Sequence, residues 1–599
     1  MRILLSFLVG LIICFYLAEI LVSLVRKIGL NKIIHINHSI FGIFLIFAGF
    51  TGLFFTSSEP LKYLFSIFLI GSGFGLIFHH LFSKSYILSE DIEMRFAKKH
   101  ESTIERLLEI LPGALTWLAL TSPIWLSFAL PFAVAYLIIL ADVYWFISAI
   151  RISVLLYVGY KRMDFAKKQN WLEKLKHDFP DTWENYYHLL VLPTYNEGSE
   201  VIMPAINAVI DSDYPKKKVF LIVGFEDRMM QKDPEGVKTR MNAVKKLSSK
   251  IGGVFATLHP VELEGEIPGP ATNRNWMINC AIKEFNKLNI KPEQVIVTTL
   301  DADFVINKQF LTGALHKYLK TPENERNKRS FTGTFLYNNN YWQAPTPMRI
   351  IATGTAFWQL SEMVGSDKYI NFSSLSINMK TLLDIGLWIP NKVNDDSGFY
   401  WKAYYHFKGD YKVIPHYLPI SADACLDTTL VKTFQNQYLQ LKRWAYGVEH
   451  IPFIIMQFFK NKDMNFNDRM DKLTFILWSY FKWGTLALFI TFGGFFIPLI
   501  NPGYSESVVS HNLNIIASWI LTAAFIGLFS TIYVNEKLAP KRPSTWNIWQ
   551  KIWSYIQWVF IPIALVSILT IPALDAQTRL MLGKYMEFRT TNKARISTK

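Results

Sequence analysis

The stretch QVIVTTLDAD, residues 294–303, decides the fold class of the central part of this chain. Its β-branched run predicts a short buried strand, and two carboxylates, Asp301 and Asp303, follow directly after it. Around this stretch, from about residue 161 to 450, short β-rich runs alternate with helical patterns. That alternation is typical of βαβ units, so the sequence predicts an α/β domain in the middle of the chain.

The other elements predicted for this domain lie on both sides of that strand. Strands are predicted at 188–193, 219–224 and 253–258, and helices at 198–210, after Pro234, at 274–288 and at 308–319. In an open α/β sheet, ligands bind beyond the carboxyl ends of the strands, so the polar residues that follow each strand are candidates for chemistry. These candidates are Thr194 and Asn196, then Glu226 and Asp227, and then Asp301 and Asp303.

The composition of the whole 599-residue chain indicates a membrane protein. Hydrophobic residues make up 51% and charged residues 18%, whereas soluble domains carry roughly 25% charged residues. This excludes a purely soluble, disordered or fibrous protein. Apolar runs long enough to cross about 30 Å of hydrocarbon cluster at the two ends of the chain. They lie at 3–24, 40–56, 63–82, twice between 112 and 159, and at 483–500, 513–533 and 552–572.

These runs predict three regions. Residues 1–160 form an N-terminal transmembrane region of about five helices with a cytoplasmic connection at 84–111, and residues 161–450 form the α/β domain. Residues 451–599 form an interfacial helix and a C-terminal transmembrane region of two or three helices, followed by a basic tail.

Lys and Arg residues predict the orientation, because they are retained in cytoplasmic loops. The loop 501–512 contains none, whereas the loop 534–551 contains four and the connection 84–111 contains five. The α/β domain is therefore predicted to face the cytoplasm from the plasma (inner) membrane. The net charge of +15 then fits loops beside anionic lipid, with no nucleic-acid partner. A re-entrant last segment, broken at Pro562, would explain the basic residues of the tail.

Asp301 and Asp303 are spaced to bind one divalent cation. Carboxylates at i and i+2 on a loop can both face a Mg²⁺ or Mn²⁺ ion that also binds substrate phosphates. The pattern is weak alone, since Asp211-Ser212-Asp213 matches it too and is interpreted as a solvated turn. Only the position after a predicted strand favours the later pair as the metal site.

Two later segments add other chemistry. Asn394-Asp395-Asp396-Ser397 precedes a helical pattern, and adjacent carboxylates raise each other's pKa, which suits a general base. An Asp in this position can also simply cap the helix, and the residues alone favour that interpretation. Gln440, Arg443 and Trp444 fall within one turn of a predicted helix. The alternative for that helix is a cationic amphipathic helix on the membrane surface.

Four motifs in this order resemble those of membrane-integrated family 2 glycosyltransferases, the group of cellulose, chitin and hyaluronan synthases. They are Val191-Leu192-Pro193-Thr194-Tyr195-Asn196-Glu197, Asp301-x-Asp303, Asp395-Asp396 and Gln440-x-x-Arg443-Trp444. The resemblance covers about residues 185–450. It implies a GT-A fold, Rossmann-like, inserted between two bundles of transmembrane helices.

The resemblance also implies a role for each matching residue. The donor would be a nucleotide-diphosphate sugar, with UDP the expected nucleotide, held by Thr194, Asn196, Glu226, Asp227, Arg274 and Asp301. Asp301 and Asp303 would bind Mg²⁺ or Mn²⁺, with Asp303 as the direct ligand. Asp396, beside Asp395, would be the general base, and Arg443 would bind the leaving diphosphate. Trp444, Gln440 and Ser376 would contact the acceptor.

The sequence departs from the family pattern at several positions. Arg274 replaces a Lys at what is predicted to be the start of a helix, Asn394-Asp395 replaces Thr-Glu, and Ser374-Leu375-Ser376 replaces a Cys-Gly-Ser or Cys-Gly-Thr element. The reaction class implied is inverting sugar transfer that extends a glycan processively and exports it through the helices. Transfer of a single sugar to a lipid-linked acceptor, and an inactive transporter or binding protein, are the alternatives.

Overall fold

The computed structural model describes residues 45–46, 69–70, 72–73 and 103–588, except Glu262, Asn371 and the side chain of Ser366. The predicted spans at 3–24, 40–56 and 63–82 lie almost wholly outside the described residues, as does most of the connection 84–111. Contacts divide the chain into two compact units. The first consists of Met1–Asp142, Tyr480–Ser518 and Thr570–Met586, and the second of Val143–Ser479, Trp519–Leu569 and Glu587–Lys599.

The second unit contains an eight-stranded mixed sheet. Its strands are β1 Tyr187–Pro193, β2 Val219–Glu226, β3 Gly253–His259, β4 Val295–Thr299, β5 Val305–Ile306, β6 Arg329–Leu336, β7 Leu375–Asn378 and β8 Lys412–Ser421, in the order β3-β2-β1-β4-β7-β6-β8-β5. The first four strands of this order pair in parallel. β7 pairs antiparallel with β4 and with β6, and β8 pairs in parallel with β6. The predicted α/β class is therefore confirmed.

Helices precede, separate and follow these strands along the chain. They are α1 Thr103–Ala129, α2 Pro131–Lys168, α3 Trp171–Asp178, α4 Ser199–Ile210, α5 Pro234–Lys245, α6 Pro270–Lys287, α7 Phe310–Lys320, α8 Thr346–Glu362, α9 Met379–Ile385, α10 Asp395–His406, α11 Leu430–Ala445 and α12 Ile451–Lys460. After the sheet come α13 Phe466–Ile500, α14 Val508–Ala524, α15 Gly527–Leu538, α16 Ile548–Ile556 and α17 Ile571–Leu582. Residues 557–570, between α16 and α17, form short 3₁₀, α and π segments.

The central strands are apolar because both of their faces are covered. All eight residues of β2 and all five of β4 are buried, as expected for parallel strands with helices on both sides of the sheet. The strands predicted near 188, 219, 253 and 294 are all present, each within two residues of its predicted ends. One helix boundary was wrong, since α6 begins at Pro270 and Arg274 therefore lies inside the helix.

Five helical segments are long and apolar enough to cross a membrane. They are Thr103–Ala129, Pro131–Lys168, Phe466–Ile500, Val508–Leu538 and Ile548–Leu582. The two spans predicted between 112 and 159 are therefore present as helices, joined only by Leu130. Residues 103–111 of the predicted connection are part of α1, which begins at Thr103. The last segment remains helical across Pro562, with a π segment at Leu565–Thr570.

In the first unit, α1 packs closely on α17. The Thr116 hydroxyl donates to Gln577 Oε1 at 2.6 Å, and Trp117 Nε1 donates to the Thr578 hydroxyl at 2.8 Å. A Cβ on Gly113 would lie 2.7 Å from the Gln577 carbonyl oxygen, so only glycine permits this approach. Small residues and hydrogen bonds between apolar helices are typical of packing in membranes.

Candidate functional site

A buried arginine connects three of the predicted site carboxylates. Arg274, on α6, is 1% exposed. Its Nη1 donates to Asp395 at 2.6 Å and to Asp396 at 3.2 Å, and its Nη2 donates to Asp301 at 3.4 Å. The loop after β4 and the start of α10 are therefore held together by one guanidinium. Residues more than 120 positions apart in sequence form a single charged cluster.

The two carboxylates of α10 do not serve as its N-cap. Asn394 is the N-cap residue, and its side-chain oxygen accepts from the backbone N–H and the hydroxyl of Ser397. Asp395 and Asp396 are the first two residues of the helix. The interpretation of an Asp cap is therefore wrong, because the amide side chain one position earlier provides the capping oxygen. Both carboxylates instead contact Arg274, and the Ser373 hydroxyl donates to Asp396 at 3.3 Å.

Arg443, on α11, is a second guanidinium at this cluster. It is electrostatically coupled to Asp301, Asp395 and Asp396, yet its buried Nε has no hydrogen-bond partner among the described residues. Its guanidinium carbon lies 4.5 Å from the centroid of the Phe588 ring. A buried cationic donor without a partner is costly. Arg443 is therefore suited to bind an anionic ligand that enters the cluster.

Burial and charge both act on the pKa values of the cluster. Burial raises the pKa of Asp395, although Arg274 and Arg443 oppose the shift. Burial and the neighbouring Asp395 carboxylate raise the pKa of Asp396 above its usual range. Burial tends to lower the pKa of Arg274, but the three carboxylates raise it. A carboxylate with a raised pKa is a stronger proton acceptor when ionised, which suits a general base.

The D-x-D loop carries the two carboxylates that the sequence predicts as ligands of a divalent cation. Asp303 is 1% exposed, and its Oδ2 accepts the backbone N–H of Asp423 at 2.8 Å, which orients the carboxylate. The Asp301 side chain is 35% exposed. Within the part of the chain that the structure describes, no cluster of three or more His, Cys, Asp or Glu could hold a metal. Two carboxylates completed by substrate phosphates and water are the usual arrangement for Mg²⁺.

The residues predicted to surround the nucleoside lie at the ends of β1 and β2. The Thr194 hydroxyl donates to the Gly224 carbonyl at 2.9 Å, joining the two strand ends. Glu226 is 5% exposed and pairs with Arg228 at 3.3 Å. Asp227 begins the short helix Asp227–Met230, and Asn196 lies in the loop that precedes α4. These side chains share the carboxyl edge of the sheet, as predicted from the strand pattern.

His259, at the end of β3, was missed by the sequence analysis. It lies opposite Glu226 in the parallel register, with its Nδ1 3.5 Å from Glu226 and its Nε2 3.1 Å from Glu266. Burial opposes the protonated ring, but the two carboxylates dominate and raise the pKa of His259. The rule that polar residues directly after a strand are candidates for chemistry would have identified His259.

The predicted acceptor residues occupy different environments. Gln440 accepts from Gln437 Nε2 at 3.2 Å on α11. Ser376 is fully buried in β7 and shares a hydrogen bond of 2.8 Å with Thr298 of β4. Its hydroxyl is therefore inside the sheet rather than in the charged cluster. Trp444 is half-buried and packs against an apolar cluster formed by Ile350, Ile351, Leu441, Trp558 and Ala564.

A second set of contacts joins the end of α11 and the 3₁₀ segment Tyr446–His450 that follows it to the start of α10. Glu449 Oε1 accepts the backbone N–H groups of Val393 and Asn394, both at 2.9 Å. His450 Nε2 is 2.7 Å from the Asn394 carbonyl oxygen, and Asn394 Nδ2 donates to the Trp444 carbonyl at 3.1 Å. We call Asn394, Glu449 and His450 the clamp. It fixes Asp395 and Asp396 relative to Arg443, and no local sequence pattern indicates it.

The structure resembles several solved glycosyltransferases at low similarity. The mannosyltransferase PcManGT from Pyrobaculum calidifontis, in complex with GDP-Man and Mn²⁺, is 14% identical, with a TM-score of 0.32 over 71% of this chain and 96% of that one. TarS 1–349 of S. aureus, in complex with UDP-GlcNAc, is 13% identical, with a TM-score of 0.30 over 63% and 90%. GalNAc-T7 with UDP, GalNAc and Mn²⁺ is 12% identical, with a TM-score of 0.28 over 49% and 58%.

No family model matches the sequence, and no curated protein matches it. These three solved structures each contain a nucleotide or a nucleotide sugar. At TM-scores this low the likeness does not identify a function, so functional assignment rests on the site itself.

Proposed function

We propose that this chain is a membrane-integrated, inverting glycosyltransferase of the GT-A, family 2 type, which transfers sugar from a nucleotide-diphosphate donor to a growing glycan. One observation carries the proposal: Arg274 gathers Asp301, Asp395 and Asp396 into one cluster, beside Arg443, whose buried Nε has no hydrogen-bond partner among the described residues. The cluster combines a base, a metal-binding carboxylate and an anion-binding group, which are the groups that displacement of a diphosphate requires.

In this mechanism Asp396 accepts the proton of the acceptor hydroxyl as that oxygen attacks the anomeric carbon. Its side chain is 18% exposed, whereas that of Asp395 is 6% exposed and paired with Arg274 at 2.6 Å. Asp396 is therefore the more accessible of the two carboxylates. Asp395 and Arg274 hold it in place and tune its basicity.

Arg443 neutralises the negative charge that develops on the departing diphosphate. Its buried Nε has no hydrogen-bond partner among the described residues, so this nitrogen can donate to a phosphate oxygen without losing a hydrogen bond. Asp301 and Asp303 would hold a Mg²⁺ or Mn²⁺ ion, which supplies further neutralisation of the phosphates when bound. Thr194, Asn196, Glu226 and Asp227 would contact the nucleoside, and Trp444 with Gln440 the acceptor.

The five apolar helical segments support a location in the membrane, and the Lys and Arg bias of the loops supports a cytoplasmic catalytic domain. We extend the proposal to two further properties. The chain extends its glycan processively and exports it through its helices, and it lies in the plasma membrane. We assign the acceptor sugar to Trp444, because an aromatic ring can pack on the apolar face of a sugar.

Membranes that contain the chain, incubated with a panel of radiolabelled nucleotide sugars, test this proposal. Label from one donor should enter a product, and product size distinguishes a long glycan from a single addition to lipid. Membranes that contain the Asp396→Asn variant at equal abundance are the control and should incorporate little label. If no donor in the panel labels any product, or if the variant and wild type incorporate label equally, the proposal is wrong.

A further inference from the structure

A cavity at the start of the last apolar segment combines a buried cation with tryptophan rings. The cavity, about 500 Å³ in volume, is lined by Arg349, by Trp546, Trp549 and Trp553, and by the amides of Asn547 and Gln550. It belongs to the second unit and involves none of the residues assigned to sugar transfer. We call it the Arg349 cavity.

Arg349 is buried without a counter-charge. It is 7% exposed, and its guanidinium donates to Gln557 Oε1 at 2.9 Å, to the Ala344 carbonyl at 2.6 Å and to the Thr346 hydroxyl at 3.0 Å. All of these partners are neutral, and no ion pair of Arg349 occurs among the described residues. Burial lowers its pKa. A buried charge of this kind is costly unless an anion pairs with it.

Arg542 provides a comparison within the same region. Both guanidiniums lie over the Trp342 ring, Arg349 at 5.7 Å and Arg542 at 5.5 Å from its centroid. Arg542, however, already pairs with Glu536, to which its Nη1 donates at 2.9 Å. The uncompensated charge is therefore specific to Arg349, which is the one that lines the cavity.

The surroundings of the cavity indicate a lipid interface. α16 buries only Ser554, while Ile548, Trp549 and Ile556 are 63%, 74% and 48% exposed. This helix begins the segment Ile548–Leu582, which is apolar enough to cross a membrane. An amphipathic helix with exposed tryptophans at the end of a span is typical of the headgroup region of a bilayer.

We propose that the Arg349 cavity binds the phosphate headgroup of an anionic phospholipid. The phosphate supplies the negative charge that Arg349 lacks. Asn547 and Gln550 line the cavity and use their side-chain oxygens to cap α16, which leaves their amide nitrogens to donate to headgroup oxygens. In this arrangement Trp549 and Trp553 would lie where the acyl chains begin, as interfacial tryptophans usually do. A neutral glycan would fit the tryptophan rings but would leave the guanidinium uncompensated, so the charge favours the lipid.

Native mass spectrometry of the purified full-length chain in detergent tests this proposal. The chain is mixed with equal amounts of dioleoyl phosphatidylglycerol and dioleoyl phosphatidylcholine, and the lipids that stay bound are counted. The wild type should retain the anionic lipid about fivefold over the zwitterionic one, the preference expected for one cationic group. Arg349→Gln should abolish this preference.

A second variant keeps the test decisive if Arg349→Gln does not fold. Trp549→Ala removes an exposed wall of the cavity and should lower retention of the anionic lipid. Trp519→Ala is the matched control, because Trp519 is 75% exposed but lies on α14, away from the cavity lining. Equal retention of both lipids by the wild type, or equal effects of the two tryptophan variants, would overturn the proposal. Displacement of bound lipid by inorganic phosphate or by a soluble glucan oligosaccharide would also overturn it, in favour of those ligands.

Discussion

The same sequence pattern, Asp-x-Asp, occurs twice in this chain with different structural outcomes. Asp301-Ala302-Asp303 follows β4 at the carboxyl edge of the sheet and contacts Arg274. Asp211-Ser212-Asp213 follows α4, which runs from the end of β1 back to the start of β2. Because β1 and β2 are parallel, the second pair lies at the amino edge of the sheet, away from the strand ends where ligands bind.

The contacts of the two pairs differ accordingly. Asp211 is exposed at the C-terminal end of α4, and Asp213 accepts from the Thr312 hydroxyl at 3.0 Å. Its backbone N–H donates to the Lys308 carbonyl at 3.0 Å. These contacts fix a turn and gather no other carboxylates. The comparison shows that the element before the motif, rather than the motif itself, determines whether two carboxylates join a charged site.

The largest loss of turnover should follow from mutation of Asp396, the carboxylate that Arg274 joins to the D-x-D loop. We expect Asp396→Asn to reduce turnover about 10²- to 10⁴-fold, the range that general-base catalysis supplies. Affinity for the nucleotide sugar, measured by calorimetry, should change little because the amide preserves the shape of the side chain. Near-normal turnover in Asp396→Asn together with a large loss in Asp395→Asn would instead assign the base to Asp395.

The two Asp-x-Asp pairs can be compared directly by mutation. Asp301→Ala and Asp303→Ala should each lower turnover about 10²- to 10³-fold, because each removes a charged group that acts on the diphosphate. Asp211→Ala should behave like wild type. Activity that is unchanged in EDTA would contradict the metal assignment, and equal losses from Asp211→Ala and Asp301→Ala would remove the distinction between the two pairs.

This comparison also shows how much the sequence could predict. The strands β1, β2 and β4 were predictable because burial on both faces makes them continuous apolar runs. Their order along the chain then placed Thr194, Glu226 and Asp301 at one edge of the sheet. The strands β5 to β8 were not predicted, and β7, which joins β4 to β6, has only four residues and so carries too short a pattern.

The cluster itself was only partly predictable. The sequence identified Asp301 and Asp396, but not that Arg274 would join them, since that contact spans more than 120 residues. The sequence also favoured an Asp as the cap of α10, whereas Asn394 provides it. Both residue types cap helices well, so local chemistry could not choose between adjacent positions. The orientation in the membrane and the role of Trp444 remain predictions.

The pH dependence of transfer should sharpen the assignment of Asp396. Burial and Asp395 raise the pKa of this carboxyl above its usual value, which is about 3.9 in model peptides. The ionised form is the active one, so turnover should fall as pH decreases through the raised pKa, about tenfold per pH unit. A pH–rate profile should therefore show an acid limb above pH 4. If the residual activity of Asp396→Asn keeps the same acid limb, another group is responsible for it.

The smallest loss of turnover should follow from mutation of the clamp, because the clamp contacts backbone groups rather than substrate. Glu449→Gln retains an oxygen for the N–H groups of Val393 and Asn394, but a neutral acceptor is weaker than a carboxylate by roughly 1 kcal/mol. The start of α10 should then be held less firmly, and turnover should fall about five- to tenfold because the base is displaced from the reacting hydroxyl. KM for the nucleotide sugar should not change, since the donor residues at the ends of β1 and β2 are untouched.

Glu235→Gln, at an exposed position on α5, is the control and should leave both constants at their wild-type values. A rise in KM without a fall in turnover would show that Glu449 supports the donor site instead. The clamp would then have no part in holding Asp395 and Asp396, the two carboxylates that Arg274 joins to Asp301 and that have no counterpart among the described residues at the pair after α4.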